Sequence, residues 1–249
     1  MKTVLIVGAT SSIAQACIRQ WCVLEESLEF ILISRNALKS KDLCNDLHVR
    51  YPNIVLHQIS LDFGQLEKFK QILVNEFERT KIDIALIVQG HMYHDESNLT
   101  PDQIIDLIDI NCGSVALCLD TIYNRMALQN SGKIGVFSSV AGDRGRKANY
   151  LYGATKAFVS TYTEGLQHKI ALLKQDISIS LIKPGPTATS MTQHLVNQGE
   201  KLASVDDVAK MIVVGVEKEK SIIYAPKIWR TIMFIIKKLP FFIFKRLDI

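Results

Sequence analysis

The chain has 249 residues, 48% of them hydrophobic and 22% charged, which excludes a disordered chain and suits one large α/β domain or two small ones. Its net charge of +4 sits at the end: from Lys227 onward stand six basic residues and one acid, Asp248, so residues 1–226 sum to −1. A basic face over the whole domain, the footprint of a nucleic-acid binder, is thereby excluded, while an apolar, basic tail points to a membrane surface or a partner. Five cysteines (Cys17, Cys22, Cys44, Cys112, Cys118) form an odd, scattered set without a C-x-x-C pair. They read as the reduced thiols of a cytosolic protein, with neither a disulfide frame nor a metal site. The apolar run near the N-terminus is too short for a signal-peptide core.

Apolar runs at 3–7, 29–34, 54–59, 83–88, 133–138, 177–182 and 221–224 alternate with helical stretches near 12–24, 39–50, 65–80, 102–129, 150–174 and 204–219. The runs lack polar alternation, the mark of strands buried on both faces. The repeated βα order predicts one doubly wound, Rossmann-type α/β domain over 1–226, a parallel sheet with helices on both faces, followed by an amphipathic basic tail over 227–249.

The first run leads through Gly8 into "GATSSIA" (8–14) and a helix. That is either a phosphate-binding turn or an ordinary polar turn capped by serine. In the first case Gly8 makes the tight turn, Thr10, Ser11 and Ser12 add hydroxyl donors, and the helix N-terminus receives a pyrophosphate. The second run ends in Ser34-Arg35-Asn36, without the acid that NAD sites place there. Arg35 suits the 2′-phosphate of NADP(H), unless it is a solvated loop residue. Asp62, after the third run, either accepts from the adenine amino group or caps the next helix. "TPDQ" at 100–103 and "SVDD" at 204–207 are helix starts. Asn111 falls inside a long helical stretch, where a polar residue needs a task.

"GVFSSVAGDRGRKANYLYGATKAF" (135–158) carries the most chemistry. Ser139 ends a strand, and Tyr152 and Lys156 lie four apart on the helix that follows, on one face. A free phenol titrates at about 10, and an adjacent ammonium favours the phenolate, so the spacing predicts a lowered tyrosine pKa. Tyr150 has Ala154 in place of such a partner.

On G-A-T-S-S-I-A at 8–14, Asp62, Asn111, Ser139, Tyr152, Lys156 and "KPGPTAT" at 183–189, the chain from residue 3 to about 225 resembles the short-chain dehydrogenase/reductase family. The resemblance implies a seven-stranded Rossmann fold that uses NAD(P). It makes Tyr152 the proton donor or acceptor, Ser139 the holder of the substrate oxygen and Lys156 the grip on the nicotinamide ribose. Asn111 would hold a water in the proton relay. Gly8, Thr10, Ser11, Ser12, Ile13, Arg35, Asp62 and Gly90 would bind the cofactor together with Tyr152 and Lys156. Pro184 and Gly185 would shape the nicotinamide pocket, and Thr187 and Thr189 would contact the carboxamide. Two features depart from the family: Ser12 and Ala14 stand where glycines are usual, and Ile87-Val88-Gln89-Gly90 replaces N-N-A-G.

In the tail, "IWRTIMFIIKKLPFFIFKRL" (228–247) has apolar runs of at most five residues, broken by Lys237, Lys238 and Pro240, too short to span a bilayer. As a helix it sets Trp229, Ile232, Met233 and Ile236 opposite Lys227, Arg230 and Lys238, the make-up of an interfacial segment. The alternative is a segment folded over the cleft or packed at a subunit interface. The expected activity is an NADPH-dependent carbonyl reductase, with NADP(H) preferred over NAD(H), acting on a small-molecule or lipid-linked ketone; the tail and the glycine-poor loop are diffusely similar to bacterial reductases of polyprenyl-phosphate-linked keto-sugars. A cytoplasmic homo-oligomer, peripheral at the inner face of a membrane and contacting it through 228–247, goes with that reading. A non-catalytic NADP(H)-binding scaffold that docks a membrane enzyme is the alternative.

Overall fold

The computed structural model describes residues 1–193 and 201–247, so Asp248 and the last residue of the tail lie outside the described residues. Seven strands, β1 (Lys2–Val7), β2 (Leu28–Ser34), β3 (Val55–Ser60), β4 (Ile84–Ile87), β5 (Gly132–Phe137), β6 (Ile177–Pro184) and β7 (Ile222–Ala225), form one sheet in the order 3-2-1-4-5-6-7. All six pairings are parallel. Successive side chains of β1 point to opposite faces: Val4 and Ile6 enter one apolar core, Leu5 and Val7 the other. The first core is closed by α1 (Ser12–Leu24), α2 (Ala37–Arg50) and α7 (Val205–Glu217), the second by α3 (Leu66–Arg79), α5 (Ser114–Gln129) and α6 (Tyr150–Leu173). The strand order reverses between β2-β1 and β4, which opens a crevice beyond the carboxyl ends of β1 and β4.

The absence of polar alternation holds for β2 and β4, buried throughout, and for β1, buried from Thr3 on, and fails for β3, which is nowhere buried. As an edge strand β3 has one neighbour, and Val55, Gln58 and Ser60 are exposed. The stretch 102–129 also divides. Its start is α4 (Pro101–Ile108), where Thr100 and Gln103 form a reciprocal capping box and Pro101 occupies the first turn. One π-helical turn, Asp109–Gly113, then joins α4 to α5. Ser204 caps α7 by accepting from Asp207 N, with Asp206 and Asp207 in the first turn.

The tail forms α8 (Ile228–Lys238) and a short α9 (Phe241–Phe244). Its strongest apolar stripe faces inward: Met233 is fully buried, Trp229, Ile232 and Ile236 are half-buried, and the Trp229 indole lies against Gly185. Arg144 closes the end of α8 by donating to the carbonyls of Ile236 and Leu239 (2.6 Å for the latter), and its guanidinium lies 3.9 Å from the Phe244 ring centre. Of the two readings that the sequence leaves open for this stripe, it is the packing on its own domain that the fold takes up, against β7 and the loop after β6. Phe234, Ile235, Phe241 and Phe242 remain exposed, as do Lys237, Lys238, Lys245 and Arg246. No helix among the described residues is long and apolar enough to cross a membrane.

Candidate active site

A cavity of about 1190 Å³ opens at the crevice. Gly8 forms its floor with φ +88°, a conformation that L side chains rarely adopt, and a Cβ there would stand 2.8 Å from Gln89 N. The chain then turns through Thr10 and Ser11 into α1. Ser11 occupies the N-cap position without a side-chain capping bond, so its hydroxyl and the first amides of α1 are uncommitted. Ala14 is fully buried in the core, its methyl accommodated where a glycine would otherwise stand. Thr10, Ser11, Ser12 and Ile13 line the cavity with Gly8, and Arg35, from the exposed loop after β2, lines it with them. Asp62 is a further lining residue, and its Oδ1 accepts from Gly64 N (3.2 Å). The N-cap of α3 is Gln65, so Asp62 does not cap that helix.

Across the cavity stand Ser139, Tyr152 and Lys156. Ser139 ends the extended segment after β5, and its Oγ accepts from Ala141 N (3.1 Å) in the turn that follows. Beneath this turn the Lys183 ammonium and Asp143 carboxylate form a buried pair at 2.6 Å, and Tyr224 donates to the same carboxylate at 2.8 Å. Tyr152 and Lys156 project from the first turns of α6. The Lys156 ammonium is buried, donates to the Phe137 carbonyl (3.2 Å) and lies 5.7 Å from the centre of the Tyr152 ring. A Cβ on Gly90 would come within 3.0 Å of Lys156 Nζ and 3.5 Å of Asn111 Oδ1, so these groups converge on a backbone point that a side chain would crowd.

The pair does not titrate as its spacing suggests. Burial pushes the Tyr152 phenol up to about 12, with the neighbouring Ser139 hydroxyl pulling weakly the other way. Burial also brings Lys156 down to about 8. Desolvation disfavours both charged forms and is the largest cause at each.

Asn111 sits apart from the cavity wall. It is fully buried in the π-turn, its Nδ2 donates to His91 O (2.8 Å) and Thr155 Oγ1 (3.0 Å), and its Oδ1 accepts from His91 N (2.7 Å). It thereby ties the loop after β4 to α6. Pro184, Gly185, Thr187 and Thr189 complete the wall on the β6 side. Thr187 donates its hydroxyl proton to Gly185 O (2.8 Å), which leaves its oxygen free only as an acceptor.

Three residues with a place in the site carry no signal in the sequence. Glu96 is a buried carboxylate that accepts from Leu151 N (2.7 Å) and Tyr152 N (2.9 Å), capping the helix that carries Tyr152. Its own carbonyl accepts from the Tyr150 hydroxyl (2.9 Å). Arg146 and Asn149, in the loop before α6, also line the cavity. Among the described residues no group of histidines, cysteines and acids is arranged to hold a metal ion.

Residues 2–200 match the family model described as short chain dehydrogenase. An uncharacterized oxidoreductase of Staphylococcus aureus (strain USA300) is 25% identical over 224 residues, covering 89% of this chain and 93% of its own. Among solved structures, ElxO with NADP bound superposes with a TM-score of 0.78 at 22% identity, covering 90% of this chain and 96% of its own. A short-chain dehydrogenase from Sphingobium yanoikuyae in complex with NADPH gives 0.79 at 19% identity, covering 97% of each chain.

Proposed function

The chain belongs to the short-chain dehydrogenase family and is an NAD(P)-dependent oxidoreductase, and we propose that it works as an NADPH-dependent carbonyl reductase on a hydrophobic ketone, lipid-linked keto-sugars included. One observation carries the reading: Gly8, the uncapped start of α1, Arg35, Ser139, Tyr152 and Lys156 face a single cavity. The residues fit a dinucleotide. Gly8 leaves room that a Cβ would fill, the amides of α1 and the hydroxyls of Thr10, Ser11 and Ser12 would hold a pyrophosphate, and Arg35 would hold a 2′-phosphate. Ile13, Asp62, Gly90, Pro184, Gly185, Thr187 and Thr189 complete the cofactor's surroundings. The bound cofactor supplies the hydride.

The chain's own residues handle the proton. A phenol held near 12 is protonated at neutral pH, the form required to donate to a carbonyl oxygen as negative charge gathers there. Ser139 Oγ, anchored by Ala141 N, presents its proton to the same oxygen and fixes the carbonyl's orientation. Once Tyr152 has given its proton, the Lys156 ammonium, 5.7 Å from the ring centre, stabilises the phenolate. Asn111 is a positioning residue: it holds His91 against Thr155, one residue from Lys156, and its Oδ1, which accepts only from His91 N, keeps a second lone pair for a relay water. The exposed Phe234, Ile235, Phe241 and Phe242 with the cations around them support contact with an anionic membrane surface beside the cavity.

Tyr152→Phe tests the assignment. NADPH oxidation across a panel of ketones should fall at least about 1,000-fold while NADPH affinity stays within about twofold, since only the donated proton is lost. A fully active variant would overturn the role of Tyr152. Tight NADPH binding by wild-type protein with no turnover of any ketone would instead favour the scaffold.

A further inference from the structure

The wall of the cavity that follows Ser139 carries charge that the reduction leaves unused. Arg146 lies in the loop between the turn after Ser139 and α6, and its Nε is shut off from solvent without a hydrogen-bond partner. Its guanidinium forms no ion pair among the described residues. The two acids closest in function are already committed: Asp143 to Lys183 and Tyr224, Glu96 to the start of α6. Burial alone pulls the Arg146 pKa below its ordinary value, with no carboxylate acting against it. Three residues on, Asn149 Oδ1 is likewise buried and unpartnered. Both side chains line the same cavity as Ser139 and Tyr152.

Buried polar atoms in folded proteins nearly always have partners, and half-buried Arg146 keeps its Nε out of water with none. A planar fork of donors matches a carboxylate or a phosphate. The cofactor's phosphates do not fill this role. Their loop follows β1, whereas Arg146 follows β5, two strands along in the sheet, or about 10 Å at ordinary strand spacing. Resting on the reductase reading above, we infer that Arg146 and Asn149 form a subsite for an anionic group of the substrate. The ketone then carries a carboxylate or phosphate, which Arg146 grips, and a neighbouring hydroxyl donates to Asn149 Oδ1.

Binding to the NADP⁺-loaded Tyr152→Phe protein, followed by calorimetry, tests this without turnover. The probes are acetoacetate against methyl acetoacetate, and dihydroxyacetone phosphate against dihydroxyacetone. One charged member should bind about 10- to 100-fold tighter than its neutral counterpart, the factor that a charge-assisted hydrogen-bonded pair supplies. Which pair responds distinguishes carboxylate from phosphate. Adding Arg146→Met should erase the preference and leave NADP⁺ affinity unchanged. If that variant does not fold, Arg146→Lys carries the test and should retain only part of the preference. Equal binding of charged and neutral members, or a loss of NADP⁺ affinity on changing Arg146, overturns the subsite. The reductase reading fails separately: a charge preference that Arg146 controls, with no NADPH oxidation by wild-type protein on any probe, would sink the activity and leave the subsite standing.

Discussion

Lys156→Met separates what this side chain gives to chemistry from what it takes from the fold. Burial lowers the ammonium pKa from 10.5 to about 8. At about 1.36 kcal/mol per pKa unit, that difference is on the order of 3 kcal/mol in favour of losing the proton on folding. Between pH 8 and 10.5 the unfolded chain therefore holds a proton that the folded chain has released, so raising the pH across this window stabilises the fold. Below pH 8 the folded state bears the whole penalty of a buried cation. Methionine has nearly the same length and no charge, and it removes that penalty; the Phe137 carbonyl, which accepts from Lys156 at 3.2 Å, loses its partner at a cost of about 1 kcal/mol. The variant should thus gain about 2 kcal/mol at pH 7, or roughly 4–8 °C in Tm for a chain of this size, while losing turnover. Near pH 10.5 the gain should vanish. Thermal melts of the cofactor-free proteins at pH 7 and pH 10.5 measure both. A variant less stable than wild type at pH 7, or stabilised equally at both pH values, would refute the electrostatic argument.

Glu96→Gln keeps one acceptor for the amides of Leu151 and Tyr152 and loses the charge that favours the start of α6. The kcat should fall several-fold with KM and NADPH affinity little changed, because only the placement of Tyr152 is disturbed; a stability loss with unaltered kcat would reduce Glu96 to a simple cap. Arg35→Ala should weaken NADPH by about 10- to 100-fold in a fluorescence titration and leave NADH nearly untouched, since a charge-assisted phosphate contact is worth about 1.5–3 kcal/mol. Equal losses for both cofactors would remove the phosphate role. Vesicles containing anionic lipid should carry the full chain upward in a density gradient and leave behind the double variant Phe241→Asp, Phe242→Asp. Equal flotation of the two would remove the tail from the membrane contact.

Much of the fold can be read from β1, β2 and β4, because strands covered on both faces are apolar at most positions, and the buried Glu29 of β2 is held by Thr3 and Arg79. Where that cover ends, the reading ends too. β3 is an edge strand, and nothing in "VLHQIS" states how many neighbours it has. The break between α4 and α5 lacks a proline, and Gly113, the only weak spot in the sequence there, tolerates helix geometry as readily as a π-turn. In the tail, a stripe of Trp229, Ile232, Met233 and Ile236 announces that one face is buried and is silent on whether lipid or protein buries it.

The site divides along the same line. Gly8, Ser139, Tyr152 and Lys156 are visible because a turn, a strand end and an i, i+4 spacing are local properties. Glu96 is invisible because its partners lie 55 and 56 residues away, and its meaning comes from donors that belong to the backbone. The Tyr152–Lys156 pair shows how far locality misleads. The spacing puts a cation beside a phenol and so suggests a lowered pKa, yet Lys156 is buried and Tyr152 half-buried at the cavity wall, and desolvation acts against both charges. Burial drives the two groups toward neutrality from opposite sides, the phenol up and the ammonium down. A tyrosine that keeps its proton until a nearby oxygen becomes more basic than phenolate suits reduction of a ketone. For the reverse reaction the same tyrosine must first lose that proton, and only a charged Lys156 makes the loss tolerable. Oxidation of the alcohol should therefore depend on pH far more steeply than reduction does.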